Sequence, residues 1–130
     1  MSEEEIVELN DKIWEKKVEK SIKPVVVMFY TDTCPFCKQM EPYFNEYSRE
    51  FKDRVVFYKI NLRNSQTIAA RYGVMGTPTF KFFCKGKPIH ELVGAIYPSL
   101  LKKGVEEQLE NGENCVNKVT WYPPTIDGYA

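Results

Sequence analysis

The stretch FYTDTCPFCKQMEP, residues 29–42, decides how this chain is read. Cys34 and Cys37 stand with two residues between them, in a chain of 130 that holds only four cysteines. Pro35 comes directly after Cys34. That position suits the first turn of a helix, where the N–H that proline lacks has no partner in any case. Phe36, Met40, Phe44, Tyr47 and Phe51 then recur on one helical face, so the spacing predicts a helix over 35–51, kinked at Pro42. Such a pair can bind metal, close a static disulfide or carry electrons.

Working outward, VVVMFY at 25–30 is a short apolar run rich in β-branched residues. With both faces apolar it predicts a central buried strand. Upstream, Ile6, Leu9, Ile13, Trp14 and Val18 predict an amphipathic helix over 3–21, capped at Ser2 and stopped by Pro24. Downstream, VVFYKINL at 55–62 predicts a strand. NSQTIAARYG predicts a short helix opened by Asn64 or Ser65 and ended by Gly73. TPTFKFFC and KPIHELVG around KGK predict a hairpin. SLLKKGVEEQLENG predicts a last helix, capped by Ser99, stopped near Gly112 and weakened by Gly104. The order is α, β, α, β, α, β, β, α. The first two strands should run parallel and the last two antiparallel. This order predicts an α/β fold, with a central mixed sheet and helices on both faces. Residues 1–112 form one domain, and ENCVNKVTWYPPTIDGYA at 113–130 is a C-terminal tail, either extended over the body or without order.

Composition narrows the function classes. Eighteen basic and 18 acidic residues give a net charge of zero. That balance argues against a nucleic-acid or membrane partner recruited by bulk charge. No apolar run approaches a membrane span. The start, MSEEEIVELNDKIWEKKVEK, is acidic and amphipathic and does not read as a signal peptide. The cysteines, at 34, 37, 84 and 115, are unevenly spaced and do not resemble a secreted disulfide framework. The expectation is a cytoplasmic protein in a reducing compartment. There a C-x-x-C at a strand–helix junction is more often catalytic or metal-binding than structural.

The residues also carry a resemblance. A C-x-x-C after a buried strand, Pro42 five residues beyond it, GVMGTPTF at 73–80, then a hairpin, VGA and a last helix occur together in order. Over residues 5 to 112 the chain resembles the thioredoxin superfamily. The resemblance implies a thioredoxin-like fold and a dithiol–disulfide oxidoreductase. It also implies a cis peptide between Thr77 and Pro78, in a loop that faces the cysteines and holds the substrate peptide. Two departures stand out. The site reads T-C-P-F-C, closer to the C-P-Y-C of glutaredoxins than to W-C-G-P-C. The family's buried aspartate, six residues before the first cysteine, is Met28 here, although the lysine that pairs with it is kept as Lys59.

The chemistry assigns roles. The thiolate is the attacking species, and a cysteine at a helix N-terminus is favoured as the anion by unpaired N–H groups and the dipole. Cys34 is therefore the expected nucleophile. Cys37, nearly one turn on, is the expected resolving thiol. Phe36 adds an apolar surface, and the resemblance implies that Thr77 and Pro78 shape the substrate groove. Without an aspartate at 28, Glu41 and Lys59 are the candidate proton relay, although a glutamate at 41 can equally be a solvated surface residue. A zinc site lacks ligands: beyond the pair only Cys84, Cys115 and His90 remain, with no second C-x-x-C. No metal or organic cofactor is implied. Cys84 is read as a passive strand-end residue, Cys115 as a free tail thiol and His90 as a surface strand residue. The leading expectation is a monomeric oxidoreductase acting on protein disulfides and served by a reductase. The alternative is a binding module on the same frame with little redox turnover.

Overall fold

A computed structural model describes residues 6–111, with the side chain of residue 111 left out; the proposed tail lies outside the described residues. The elements are β1 (Val7–Leu9), a π-helical turn (Glu15–Glu19), β2 (Val25–Tyr30), α1 (Pro35–Glu50), β3 (Val56–Asn61), α2 (Gln66–Arg71), β4 (Thr79–Cys84), β5 (Lys87–Val93) and α3 (Pro98–Asn111). A single turn of 3-10 helix, Leu62–Asn64, joins β3 to α2. The five strands form one mixed sheet in the order β1-β3-β2-β4-β5. β1, β3 and β2 run parallel, while β4 is antiparallel to both β2 and β5. The architecture is the expected thioredoxin-like α/β sheet with helices on both faces. Among the described residues no helix is long and apolar enough to cross a membrane.

The continuous apolar run of β2 is explained by its two buried faces. Val26 and Met28 point to the layer that holds Met40, Phe44 and Tyr47 of α1 and Leu101 and Val105 of α3. Val25, Val27 and Phe29 point to the opposite layer, with Trp14, Val18 and Ile68. β4 alternates likewise: Phe80, Phe82 and Cys84 face α1 and α3, and Phe83 faces Trp14. Gln108 of α3 is buried, and its amide donates to the carbonyls of Val25 and Phe83 at 2.9 and 3.0 Å. Those bonds fasten the end of α3 to the start of β2 and the end of β4.

Three local expectations need correction. Residues 6–20 do not form one helix. Ile6 packs on the α1 side and Leu9 on the Trp14 side, as in a strand, and β1 pairs with β3 from Val7 to Leu9. The side chain of Asn10 then accepts from the N–H groups of Lys12 and Ile13 at 2.8 and 3.1 Å. This local bonding turns the chain and competes with helix continuation. The π-helical turn comes next, with Trp14 and Val18 inward. The Ser2 cap lies outside the described residues. The second correction concerns Gly104. A Cβ there would sit 2.6 Å from the Phe82 ring, so the glycine allows α3 to approach β4. Its cost in helix propensity is offset by packing that alanine could not make. The third is His90, which is half-buried, its ring 5.2 Å from that of Phe82. Burial lowers its affinity for a proton.

Other boundaries match the sequence pattern, except that α3 begins at Pro98, which puts Ser99 inside its first turn and not at the cap. Gly73, at φ +67°, ends α2 in the left-handed conformation, with Val74 N–H bonding back to Ala69 O at 2.9 Å. Ser65 occupies the N-cap position of α2 without a side-chain bond. Asp11 does the capping from a distance, accepting from Ile68 N–H at 3.3 Å.

Candidate active site

The register places the cysteine loop and the proline loop at one end of the sheet. β2 ends at Tyr30 and residues 31–33 lead into Cys34. Phe29 of β2 pairs with Thr79, so Pro78 enters β4 beside the point where β2 leaves for the cysteines. The Thr77–Pro78 bond is cis. The Pro78 carbonyl accepts from Gly94 N–H at 2.8 Å, and Thr79 Oγ1 donates to Gly76 O at 2.7 Å. Pro78 is buried and Thr77 half-buried in a loop held by both bonds.

Cys34 is the N-cap of α1, with extended backbone, and Pro35 takes the first helical position. The two cysteines are joined in a disulfide, their Cα atoms 5.2 Å apart. Cys37 N–H donates to Cys34 Sγ at 3.1 Å, and Lys38 N–H to the Cys34 carbonyl at 3.2 Å. The sulfur of Cys34 therefore receives an N–H of the first helical turn. In the reduced state that donor favours a thiolate at Cys34. Both cysteines are nearly covered, Cys34 at 7% and Cys37 at 4% exposure, whereas Phe36 between them is 52% exposed. The apolar ring of Phe36 thus stands beside the pair, open to a partner.

Met28, Cys37, Glu41 and Lys59 line one cleft of about 190 Å³ on the α1 side of the sheet. Met28 pairs with Lys59 in the β2–β3 register and is buried. Tyr30, Asp32 and Lys38 also contribute to its walls. Lys59 Nζ lies 5.6 Å from the centre of the Tyr30 ring. The Tyr30 hydroxyl donates to Glu8 at 2.7 Å. Burial, and then that carboxylate acceptor, raise the phenol's pKa far above its ordinary value, so Tyr30 keeps its proton.

Two features were not read from the sequence. Cys84 is disulfide-bonded and so is not a passive strand-end residue. It is also buried on the α1 side, at 3% exposure. Met75, in the loop leading to Pro78, is 91% exposed, an apolar side chain that no core periodicity claims. Cys115 lies outside the described residues.

Fold and site together define a small α/β protein with a redox-capable cysteine pair at a helix start and a cis-proline loop at the same end of the sheet. The model of the family described as Thioredoxin matches residues 5–107, and the chain belongs to that family. It is 32% identical over 102 residues to the M-type chloroplastic thioredoxin of Brassica napus, covering 78% of this chain and 58% of that protein. Identity to the chloroplastic thioredoxin Y of Oryza sativa subsp. japonica is 37% over 97 residues, covering 75% and 58%. Thioredoxin H4 of Arabidopsis thaliana is 33% identical over 90 residues, covering 69% and 76%. The chain thus spans little more than half the length of the two chloroplastic relatives.

Proposed function

We propose that this chain is a thiol–disulfide oxidoreductase that reduces or exchanges protein disulfides. The observation that carries the reading is the Cys34–Cys37 disulfide at the start of α1, with Cys37 N–H directed at Cys34 Sγ. The thiolate of Cys34 attacks one sulfur of a substrate disulfide. A mixed disulfide forms, and the other substrate sulfur leaves as a thiolate. Cys37 then attacks the Cys34 sulfur, closes the intramolecular disulfide and releases the second substrate thiolate. Two electrons pass to the substrate, and a reductase partner returns them to the pair. Phe36 and the Thr77–Pro78 loop form the surface that receives the substrate chain. A cytoplasmic site of action and a monomeric state belong to the same proposal, and fractionation and sedimentation test them.

The trapping experiment tests the two-step mechanism. Cys37→Ser should still attack through Cys34 but cannot resolve, so mixed disulfides with protein substrates should accumulate and disappear with dithiothreitol. Peptide mapping should place every one of them on Cys34. No accumulation, or equal accumulation on Cys84, would count against the assignment.

A further inference from the structure

Resting on that dithiol reading, we infer that Glu41 is the proton acceptor of Cys37, taking from α1 the role that β2 cannot fill with Met28. Cys37 is 4% exposed, so the proton it must lose before attacking the mixed disulfide has to leave through the cleft that reaches it. Met28 of β2, which lines the same cleft as Cys37, holds no proton acceptor. The cleft that reaches Cys37 is lined by Glu41 and Lys59, and is large enough to admit water. Glu41 is four residues after Cys37 on α1, hence on the same helical face. Helical side chains lean toward the N-terminus, which carries the Glu41 carboxylate back toward the turn of Cys37. Glu41 is also solvent-exposed, so a proton received there passes on to water.

The other charged groups of the cleft fit that role less well. Lys38 and Lys59 end in ammonium groups, which donate protons and hold no lone pair to accept one. Tyr30 keeps its proton, and its hydroxyl donates a hydrogen bond to Glu8. Asp32 is the rival carboxylate. It precedes the helix in the 31–33 loop and has a shorter reach.

In the resolving step, Glu41 removes the Cys37 proton, directly or through one water, as the Cys37 sulfur attacks Cys34. The Cys34–Cys37 bond forms and the bond from Cys34 to the substrate breaks. The electron pair leaves on the substrate sulfur, and the proton moves from Glu41 to solvent.

The test mixes reduced protein with one equivalent of dithionitrobenzoate in a stopped-flow instrument between pH 5 and 9. The first thionitrobenzoate released reports attack by Cys34, and the second reports resolution by Cys37. Glu41→Gln should leave the first phase unchanged. It should slow the second about tenfold to a hundredfold at pH 7, at and below the lower end of general-base effects. The deficit should close toward pH 9, where a thiol ionises without help. Glu41→Asp should recover part of the loss, and Asp32→Asn should match the wild type. Far-UV circular dichroism checks that each variant is folded. A second phase in Glu41→Gln with wild-type rate and pH profile overturns the inference, as does a loss found in Asp32→Asn instead. A wild type that releases only one equivalent overturns the dithiol reading itself, and this inference with it.

Discussion

Cys34→Ser should lower disulfide reduction to the rate of the chemical reductant alone. A serine hydroxyl is not a thiolate, and no helix N-terminus makes it one at neutral pH. Cys37 cannot take over. It lies inside the first turn of α1, nearly covered, and in the structure its N–H serves Cys34 rather than its own sulfur. Cys84 cannot take over either, since it is buried at the far end of β4 and disulfide-bonded. The expected readout is insulin reduction in dithiothreitol, with no acceleration above the protein-free control. Retention of a substantial fraction of the wild-type rate would assign the nucleophile elsewhere.

The largest expected effect on stability is at Trp14. Its side chain is fully buried, with ring centroids 6.1, 5.4 and 5.5 Å from those of Phe29, Tyr72 and Phe83. Its indole N–H donates to the Tyr72 hydroxyl at 3.2 Å. One residue thus ties the N-terminal segment to the central strand, to the end of α2 and to β4. Trp14→Ala removes that volume and leaves the Tyr72 hydroxyl without this donor. Truncation of a buried tryptophan costs about 3–5 kcal/mol, a large share of the roughly 5–15 kcal/mol that holds a domain of this size together. Urea unfolding followed by far-UV circular dichroism measures it. A loss below about 1 kcal/mol, typical of a surface site, would show that the segment containing Trp14 does not pack as described.

These two positions also mark what the sequence could and could not disclose. The cysteine pair, Pro35 and the strand before them were legible because local rules and tertiary position agree. A short apolar run rich in β-branched residues suits a strand buried on both sides, and a proline directly after a cysteine suits the first turn of a helix. The N-terminal segment was not legible. Ile6, Leu9, Ile13 and Trp14 satisfy a helical period, yet Ile6 and Leu9 contact opposite faces of the sheet, and pairing with β3 overrides the local pattern. Asn10 is the residue that could have signalled the break, because its side chain caps the backbone two and three residues on.

Gly104 shows the same limit from the other side. Inside a helix a glycine reads as a weakness, and only the position of Phe82 on β4 shows that a larger residue has no room. Lys81 is comparable: a lysine in the centre of an apolar strand breaks the pattern, but it pairs across the hairpin with Glu91 at 2.8 Å. At the candidate site, Met28 was visible as a departure from the family pattern. Its shared cleft with Cys37, Glu41 and Lys59 arises from three separate elements, which no single stretch of sequence brings together.

The most direct measurement is turnover by the wild-type protein: reduction of insulin disulfides in dithiothreitol, with the Cys34–Cys37 state followed in parallel by alkylation and mass mapping. The account predicts many insulin disulfides reduced per protein molecule, faster than dithiothreitol alone, while Cys34 and Cys37 alternate between dithiol and disulfide. A pair that stays oxidised throughout, or a reduced pair that leaves the insulin rate unchanged, would contradict it and make the chain a binding module on a thioredoxin frame.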